Sequence, residues 1–179
     1  QLHALAHNRD ARRVTTGTRR GSIGSQQALG RRPRSRDEID VVLWRLVDRV
    51  TGRMRRADRV GRTITLRLRF DDLTRATRSH SLPDATAATA VVHAAASAIL
   101  DAAWPLVDER GISLLGLSVG NLGNADLTVE QLVLPFGRKD TSGLDAALDE
   151  LRSRFGHTSL TRASSLGRRA TFEVPKLPD

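Results

Sequence analysis

The chain has no cysteine and no tyrosine among its 179 residues. Without cysteine, disulfide frameworks, thiol catalysis and cysteine-based zinc sites are all excluded, and an intracellular setting is the simplest expectation. Aromatic residues amount to 3 %, four Phe and two Trp, too few for a surface built on stacked rings. Lysine is scarce as well, with Lys139 and Lys176 the only two. No apolar run approaches the ~20 residues that a membrane-spanning helix needs, and the N-terminus lacks the basic-then-apolar order of a signal peptide. A soluble chain with no membrane partner is therefore expected.

Arginine supplies 27 of the 29 cations, and against 20 acids the net charge is +9. Such a balance raises the local concentration of phosphates, so a polyanion is the expected partner. The charge is unevenly spread. Residues 1–83 hold 20 arginines against eight acids, a balance of +12, whereas residues 84–179 hold nine cations against twelve acids, a balance of −3. The length fits one ordinary domain with extensions, since compact domains cluster near ~100–150 residues. The sequence begins with Gln1 and enters at once on a helical-looking Leu2-His3-Ala4-Leu5-Ala6-His7, as expected of a piece of a longer protein.

Residues 8–20 have no apolar periodicity and read as a basic linker. Ser22 to Leu29 is a short strand. Ser35 followed by Glu38 makes a capping box, and Ile39, Val42, Leu43, Leu46, Val47, Val50 and Met54 then form one apolar helical stripe, with Arg45, Arg49, Arg53 and Arg56 off it. Gly61 is expected to close that segment. Thr63 to Phe70 alternates strictly, placing Ile64, Leu66, Leu68 and Phe70 on one face and Thr63, Thr65, Arg67 and Arg69 on the other. Asp71 and Asp72 form a turn, and Arg75 to Leu82 returns as the antiparallel partner, ended by Pro83. A second helix is expected from Asp84 or Thr86 to Ala103, with Ala88, Val91, Val92, Ala95, Ile99 and Ala102 inward and Trp104-Pro105 as its stop. Ile112 to Leu122 is the last strand, with Leu115, Leu117 and Val119 inward. After a linker at 123–126, Ser142 can cap a third helix with Leu144, Ala147, Leu148, Leu151 and Phe155 as its stripe and Gly156 as its end.

The order strand, helix, strand, strand, helix, strand is that of an α+β, ferredoxin-like split βαβ sandwich: a four-stranded sheet with two helices on one face, here with a C-terminal extension. The other face is left open and carries Arg and Thr where a second core layer would need Val and Ile.

Four segments carry a family resemblance: Arg-Arg-Gly-Ser-Ile-Gly-Ser at 19–25, Arg-Val-Gly-Arg-Thr-Ile-Thr-Leu-Arg-Leu-Arg-Phe-Asp-Asp at 59–72, Thr-Arg-Ser-His-Ser-Leu-Pro at 77–83, and Gln-Leu-Val-Leu-Pro-Phe at 131–136. Their order and spacing over residues 1–136 resemble the little-finger domain of bacterial Y-family translesion DNA polymerases of the DNA polymerase IV (DinB) type, and the arginine bias suits a high-GC, actinobacterium-like source. The resemblance implies a division: residues 1–20 as the end of the thumb and a basic tether, 21–122 as the little finger, 123–140 as a linker bearing a clamp-binding peptide, and 141–179 as an appended helical module. It also implies that the metal-binding carboxylates, with their Mg2+, belong to a palm ahead of this segment. The fragment itself would then hold no catalytic residue, metal or cofactor. Its partners would be template–primer duplex, the β sliding clamp and the palm, fingers and thumb of the same polypeptide, in a cytoplasmic, nucleoid-associated setting. Two departures stand out. The family commonly has an acid shortly after Ser-Ile-Gly, where Gln26 and Gln27 stand here, and its clamp peptide commonly ends the chain, whereas more than forty residues follow Phe136.

An open sheet laid against DNA offers arginines and amides to phosphates on two strands, which supplies affinity without base readout. Arg67, Arg69 and Arg75 are the expected phosphate ligands, with Thr65, Thr77 and Ser79 as hydrogen-bond donors. Ser22, Gly24, Gly116 and Ser118 are small enough for close backbone approach, and Arg13, Arg19 and Arg20 add charge from the tether. By resemblance Gln131 would bond at the mouth of the clamp's cleft, Leu132 would hold an extended backbone, Leu134 and Phe136 would fill its pocket, and Pro135 stiffens the peptide. The plainer readings are a solvated polar face for the arginines and a core strand for Leu-Val-Leu. The alternative function, a free-standing ferredoxin-like RNA-binding protein, calls for exposed aromatics on the central strands, and Thr63 to Arg69 offers none. His3 and His7 have zinc-like spacing but no third ligand in sequence, Asp71 and Asp72 read as turn formers, and His80, His93 and His157 have no evident catalytic partner.

Overall fold

In the computed structural model, residues 3, 6–9, 13, 21–125, 142–156, 159–160 and 163 are described. The elements run β1 (Ser22–Ala28), α1 (Arg36–Arg56), β2 (Arg59–Arg69), β3 (Arg75–Thr86), α2 (Thr89–Arg110), β4 (Leu114–Asn124) and α3 (Ser142–Phe155). The sheet order is β1-β4-β2-β3, and every neighbouring pair is antiparallel. Accordingly β1 and β2 run parallel with β4 between them, and β3 and β4 run parallel with β2 between them. These are two interleaved split βαβ units, the expected α+β architecture.

α1 starts where the capping box places it: the Glu38 amide donates to Ser35 Oγ at 3.3 Å and the Ser35 amide to Glu38 Oε2 at 3.1 Å. All seven residues of its expected stripe are buried. It covers β1 and β4, while α2 covers β2 and β3. Ile64, Leu66, Leu68, Phe70, Leu115, Leu117 and Val119 meet both helices in a single core.

Several boundaries differ from the sequence expectation. Gly61 lies inside β2 rather than closing the helix, beside a register shift, and a Cβ there would come within 2.6 Å of Val119 Cγ1. β3 continues through Pro83 to Thr86. Because β3 pairs only with β2, the proline needs no outward ladder bond. α2 begins only at Thr89 and runs through Trp104 and Pro105 to Arg110, where Gly111 at φ +66° stops it. Ala103 and Val107 on either side of the proline are both core residues, and their burial offsets the lost backbone bond. Ala102, expected inward, is exposed, and Val91 is half-buried. At 22 residues, with an 18-residue window of mean hydropathy 1.5, α2 is long and apolar enough by composition to cross a membrane, contrary to the expectation that no run would be. Here it forms one wall of the core. β4 extends to Asn124, two residues beyond the expected strand, and the Ala125 amide donates to the Asp58 carbonyl.

α3 docks in an unexpected orientation. Most of its anticipated stripe faces outward: Leu144, Leu151 and Phe155 are 59 %, 40 % and 70 % exposed, Ala147 is exposed and only Leu148 is half-buried. The polar face turns inward instead. Arg55 forms a two-pronged pair with Asp149 (2.6 and 3.1 Å) and lies 3.4 Å from Asp145. The buried Asp145 carboxylate also accepts from the Thr89 amide at 2.9 Å, capping α2, whose own N-cap residue Ala88 has no side chain to do so. Arg152 reaches Asp48 at 3.6 Å.

Candidate nucleic-acid interface

Strand register places the open face in four cross-sheet rows. They read Ser22, Gly120, Thr63, Ser81; then Gly24, Ser118, Thr65, Ser79; then Gln26, Gly116, Arg67, Thr77; and finally Ala28, Leu114, Arg69, Arg75. Directly paired residues of antiparallel strands point to the same side, so Arg75, Thr77, Ser79 and Ser81 share the face of Arg67 and Arg69. Ser22, Gly24, Thr65, Arg67, Arg69, Arg75, Thr77, Ser79, Gly116 and Ser118 are thereby brought onto one surface. No acid and no aromatic side chain stands in these rows.

The rows are chemically graded. At one end the hydroxyls pair across strands, Thr63 Oγ1 with Ser81 Oγ and Thr65 Oγ1 with Ser79 Oγ, each at 3.1 Å, and Asn121 Nδ2 donates to Thr63 Oγ1 at 2.8 Å. At the other end stand the three arginines. Arg67 and Arg75 are exposed, and among the described residues neither forms an ion pair. Arg69 is half-buried, its Nε donating to Ser113 Oγ at 3.1 Å, so it is oriented by the fold.

The two glycines differ in what they do. Gly24 is dictated by packing, since a Cβ there would lie 2.9 Å from Ser118 Cβ and 3.0 Å from the Leu117 carbonyl oxygen. At Gly116 a Cβ would sit 3.3 Å from Gln26 Cβ and 3.5 Å from Arg67 Cβ, and its absence leaves a shallow depression lined by Ser25, Gln26, Arg67, Gly116, Leu117 and Ser118. Arg67 forms one side of that hollow.

Register also separates the two glutamines. Gln26 lies on the open face beside Gly116, whereas Gln27 falls on the helix-facing side opposite Leu115. Gln26, Thr63, Ser81 and Asn121 are face residues outside the expected ligand set, although the parities of β1, β2 and β3 place the first three on this face. Arg13 is described and exposed. Arg19, Arg20 and the peptide Gln131, Leu132, Leu134, Pro135 and Phe136 lie outside the described residues.

Among the remaining sequence features, Asp72, His3, His7 and His93 have structural partners. Asp72 accepts from the Thr74 amide at 3.0 Å and from Thr74 Oγ1 at 2.6 Å, and pairs with Arg110. These bonds, the Thr74 hydroxyl foremost, hold its carboxyl down at about 2. His3 and His7 meet edge to face, ring centroids 4.6 Å apart, and His93 stacks on Trp44. His80 is exposed and His157 lies outside the described residues. Among the described residues no cluster of three His, Cys, Asp or Glu is suited to a metal ion.

Over residues 20–134 the chain matches the impB/mucB/samB family C-terminal domain. It is 40 % identical over 172 residues to DNA polymerase IV 2 of Mesorhizobium japonicum, covering 87 % of this chain and 40 % of that protein. It is 36 % identical over 146 residues to DNA polymerase IV of Moorella thermoacetica, covering 81 % of this chain and 35 % of that one. Among solved structures, an insertion ternary complex of Dbh DNA polymerase superposes with a TM-score of 0.50 over 67 % of this chain and 33 % of that chain, at 16 % identity, a likeness of fold. The chain thus spans two fifths or less of the length of these curated relatives. Sheet order, open face and family match agree: the chain belongs to the impB/mucB/samB family, as a little-finger domain of the bacterial Y-family, DNA polymerase IV type.

Proposed function

We propose that this domain grips template–primer duplex through its phosphates, using the open sheet face, and docks its polymerase on the β sliding clamp through Gln131 to Phe136. The observation that carries the first half is the composition of the four cross-sheet rows: arginines, hydroxyls and small residues, with no acid to repel phosphates and no ring to stack on bases. Arg67 and Arg75 supply unpaired positive charge, Arg69 a fixed donor, and Thr65, Thr77 and Ser79 neutral hydrogen bonds. Such contacts confer affinity and register but carry no sequence information, which suits an enzyme that must hold damaged and undamaged templates alike. Arg13, Arg19 and Arg20 add charge from the tether.

The fragment is non-catalytic on this reading. The Mg2+-dependent nucleotidyl transfer belongs to a palm in the parent polymerase, whose fingers and thumb share the polypeptide, and the whole works in the cytoplasm at the nucleoid. The alternative, a free-standing RNA-binding protein, is disfavoured because Phe70, the aromatic nearest the central strands, is 1 % exposed and belongs to the core.

The clamp half rests on the peptide's sequence. The triple variant Gln131→Ala, Leu134→Ala, Phe136→Ala is expected to abolish binding to a purified β clamp while leaving duplex affinity unchanged, both read by surface plasmon resonance. Retained clamp affinity overturns the clamp assignment.

A further inference from the structure

α1 carries a second set of cations that the sheet face leaves unused. Arg45, Arg49, Arg53 and Arg56 recur at intervals of four, four and three residues. At 3.6 residues per turn this confines them to about a quarter of the helix circumference, with rungs about 6 Å apart. The row runs along the flank of α1 next to β1: Arg49 donates to Ser25 Oγ at 3.2 Å and Arg53 to the Gly24 carbonyl at 3.0 Å. Each of these bonds uses one nitrogen of a guanidinium that has five N–H donors.

Charge pairing divides the arginines of α1 into two groups. Arg36 pairs with Asp40 and Asp101, and Arg55 with Asp145 and Asp149. Among the described residues no carboxylate pairs with Arg49, Arg53 or Arg56. The neighbouring acids of α3 are already engaged, Asp145 and Asp149 by Arg55 and Glu150 by Arg154. Arg59 continues the row past the end of α1, where it lines an open cleft with Arg53, Ile23, Ala57 and Leu122. No exposed large apolar residue lies on α1, so the flank offers repeated charge without the apolar centre that protein interfaces need.

β1 joins the two basic surfaces. It is an edge strand, and Gly24 opens on the sheet face while its carbonyl is held by Arg53 on the other side. We propose that the α1 arginine row is a second nucleic-acid backbone site, continuous with the sheet face around the free edge of β1, so that one phosphodiester strand passes over that edge onto α1. This rests on the sheet-face reading above and extends it: the bound backbone does not stop at β1.

The test uses the whole 179-residue chain and a fluorescent template–primer duplex, with anisotropy followed over a salt series. It compares wild type with a row variant (Arg49→Gln, Arg53→Gln, Arg56→Gln), its Lys counterpart and a sheet variant (Arg67→Gln, Arg75→Gln). The row variant is expected to bind more weakly, with the slope of log K against log salt shallower by about 2 to 3, at ~0.9 for each phosphate that is no longer neutralised, and the Lys counterpart is expected to restore the slope. Should the triple variant misfold, Arg56→Gln alone, at an exposed residue, is expected to lower the slope by about 1. A row variant equal to wild type beside a weakened sheet variant overturns this proposal and leaves the sheet reading standing. Weakening by the row variant with none by the sheet variant overturns the sheet reading and, with it, the continuity of the two surfaces proposed here. Absence of duplex binding by wild type overturns both.

Discussion

Arginine dominates this chain, and its partners decide what each copy does. Arg55, between Asp145 and Asp149, is a structural bolt. Arg32, bonded to Glu38 at 2.6 Å, trims a helix start. Arg67 and Arg75 are exposed and, among the described residues, pair with no acid. Acids divide in the same way, and Asp72 gives a prediction. Its carboxyl is lowered from an ordinary 3.8 to about 2 by Thr74 and Arg110, so the folded state favours the ionised form. The resulting stability is present in full above the unfolded value and is lost as pH falls through the folded one. Urea melts of wild type and Asp72→Asn are expected to differ by a constant amount above pH ~4 and to converge between pH ~4 and ~2. A gap that does not narrow would show that Asp72 acts without its charge.

Among the elements, α3 departs furthest from amphipathic expectation, because its polar side faces the domain. Asp145→Ala removes the acceptor for the Thr89 amide and one partner of Arg55, leaving buried donors unsatisfied. A loss of about 1–3 kcal/mol is expected in urea denaturation. Leu151→Ala, on the outward face, is expected to change stability by less than about 0.5 kcal/mol. The opposite ranking would mean that the apolar stripe is the docking face. This orientation was not legible in the sequence: Leu144, Leu148, Leu151 and Phe155 make a regular stripe, and only the position of Arg55, ninety residues earlier in the chain, turns the helix over. Pro83 and Pro105 misled for a related reason. Both look like stops, but an edge strand tolerates one and a helix held by core residues on both sides of the proline tolerates the other. By contrast, β2 was legible from Thr63 onward, because Thr63 to Phe70 alternates without exception and its parity propagates through register to Thr77, Ser79, Gly116 and Ser118, whereas its first residues were hidden by Gly61, which reads as a stop. Most of the open face followed from that one strand. Gln26 follows from Ser22 and Gly24 by the same parity, and the pairing of Gln27 with Leu115 confirms the opposite side for its neighbour.

For the molecule as a whole, the +12 balance of residues 1–83 resolves into location. Among the described residues, Arg36, Arg55, Arg110, Arg152 and Arg154 of the helices are paired with acids, whereas Arg67 and Arg75 on the sheet face and Arg49, Arg53 and Arg56 along α1 form no ion pair. Helices seal one side of the sheet with the apolar core, so the side that carries Arg67, Arg69 and Arg75 is the open one. Affinity built on phosphates falls steeply with salt and is indifferent to base sequence, whereas affinity built on stacking would depend little on salt. The most direct measurement is therefore duplex affinity over a salt series for wild type and Arg67→Ala, Arg75→Ala, with two unrelated duplex sequences. The account predicts a steep wild-type slope, the same for both sequences, that becomes shallower by about 2 in the variant. A flat wild-type response, or a variant slope equal to wild type, would contradict it.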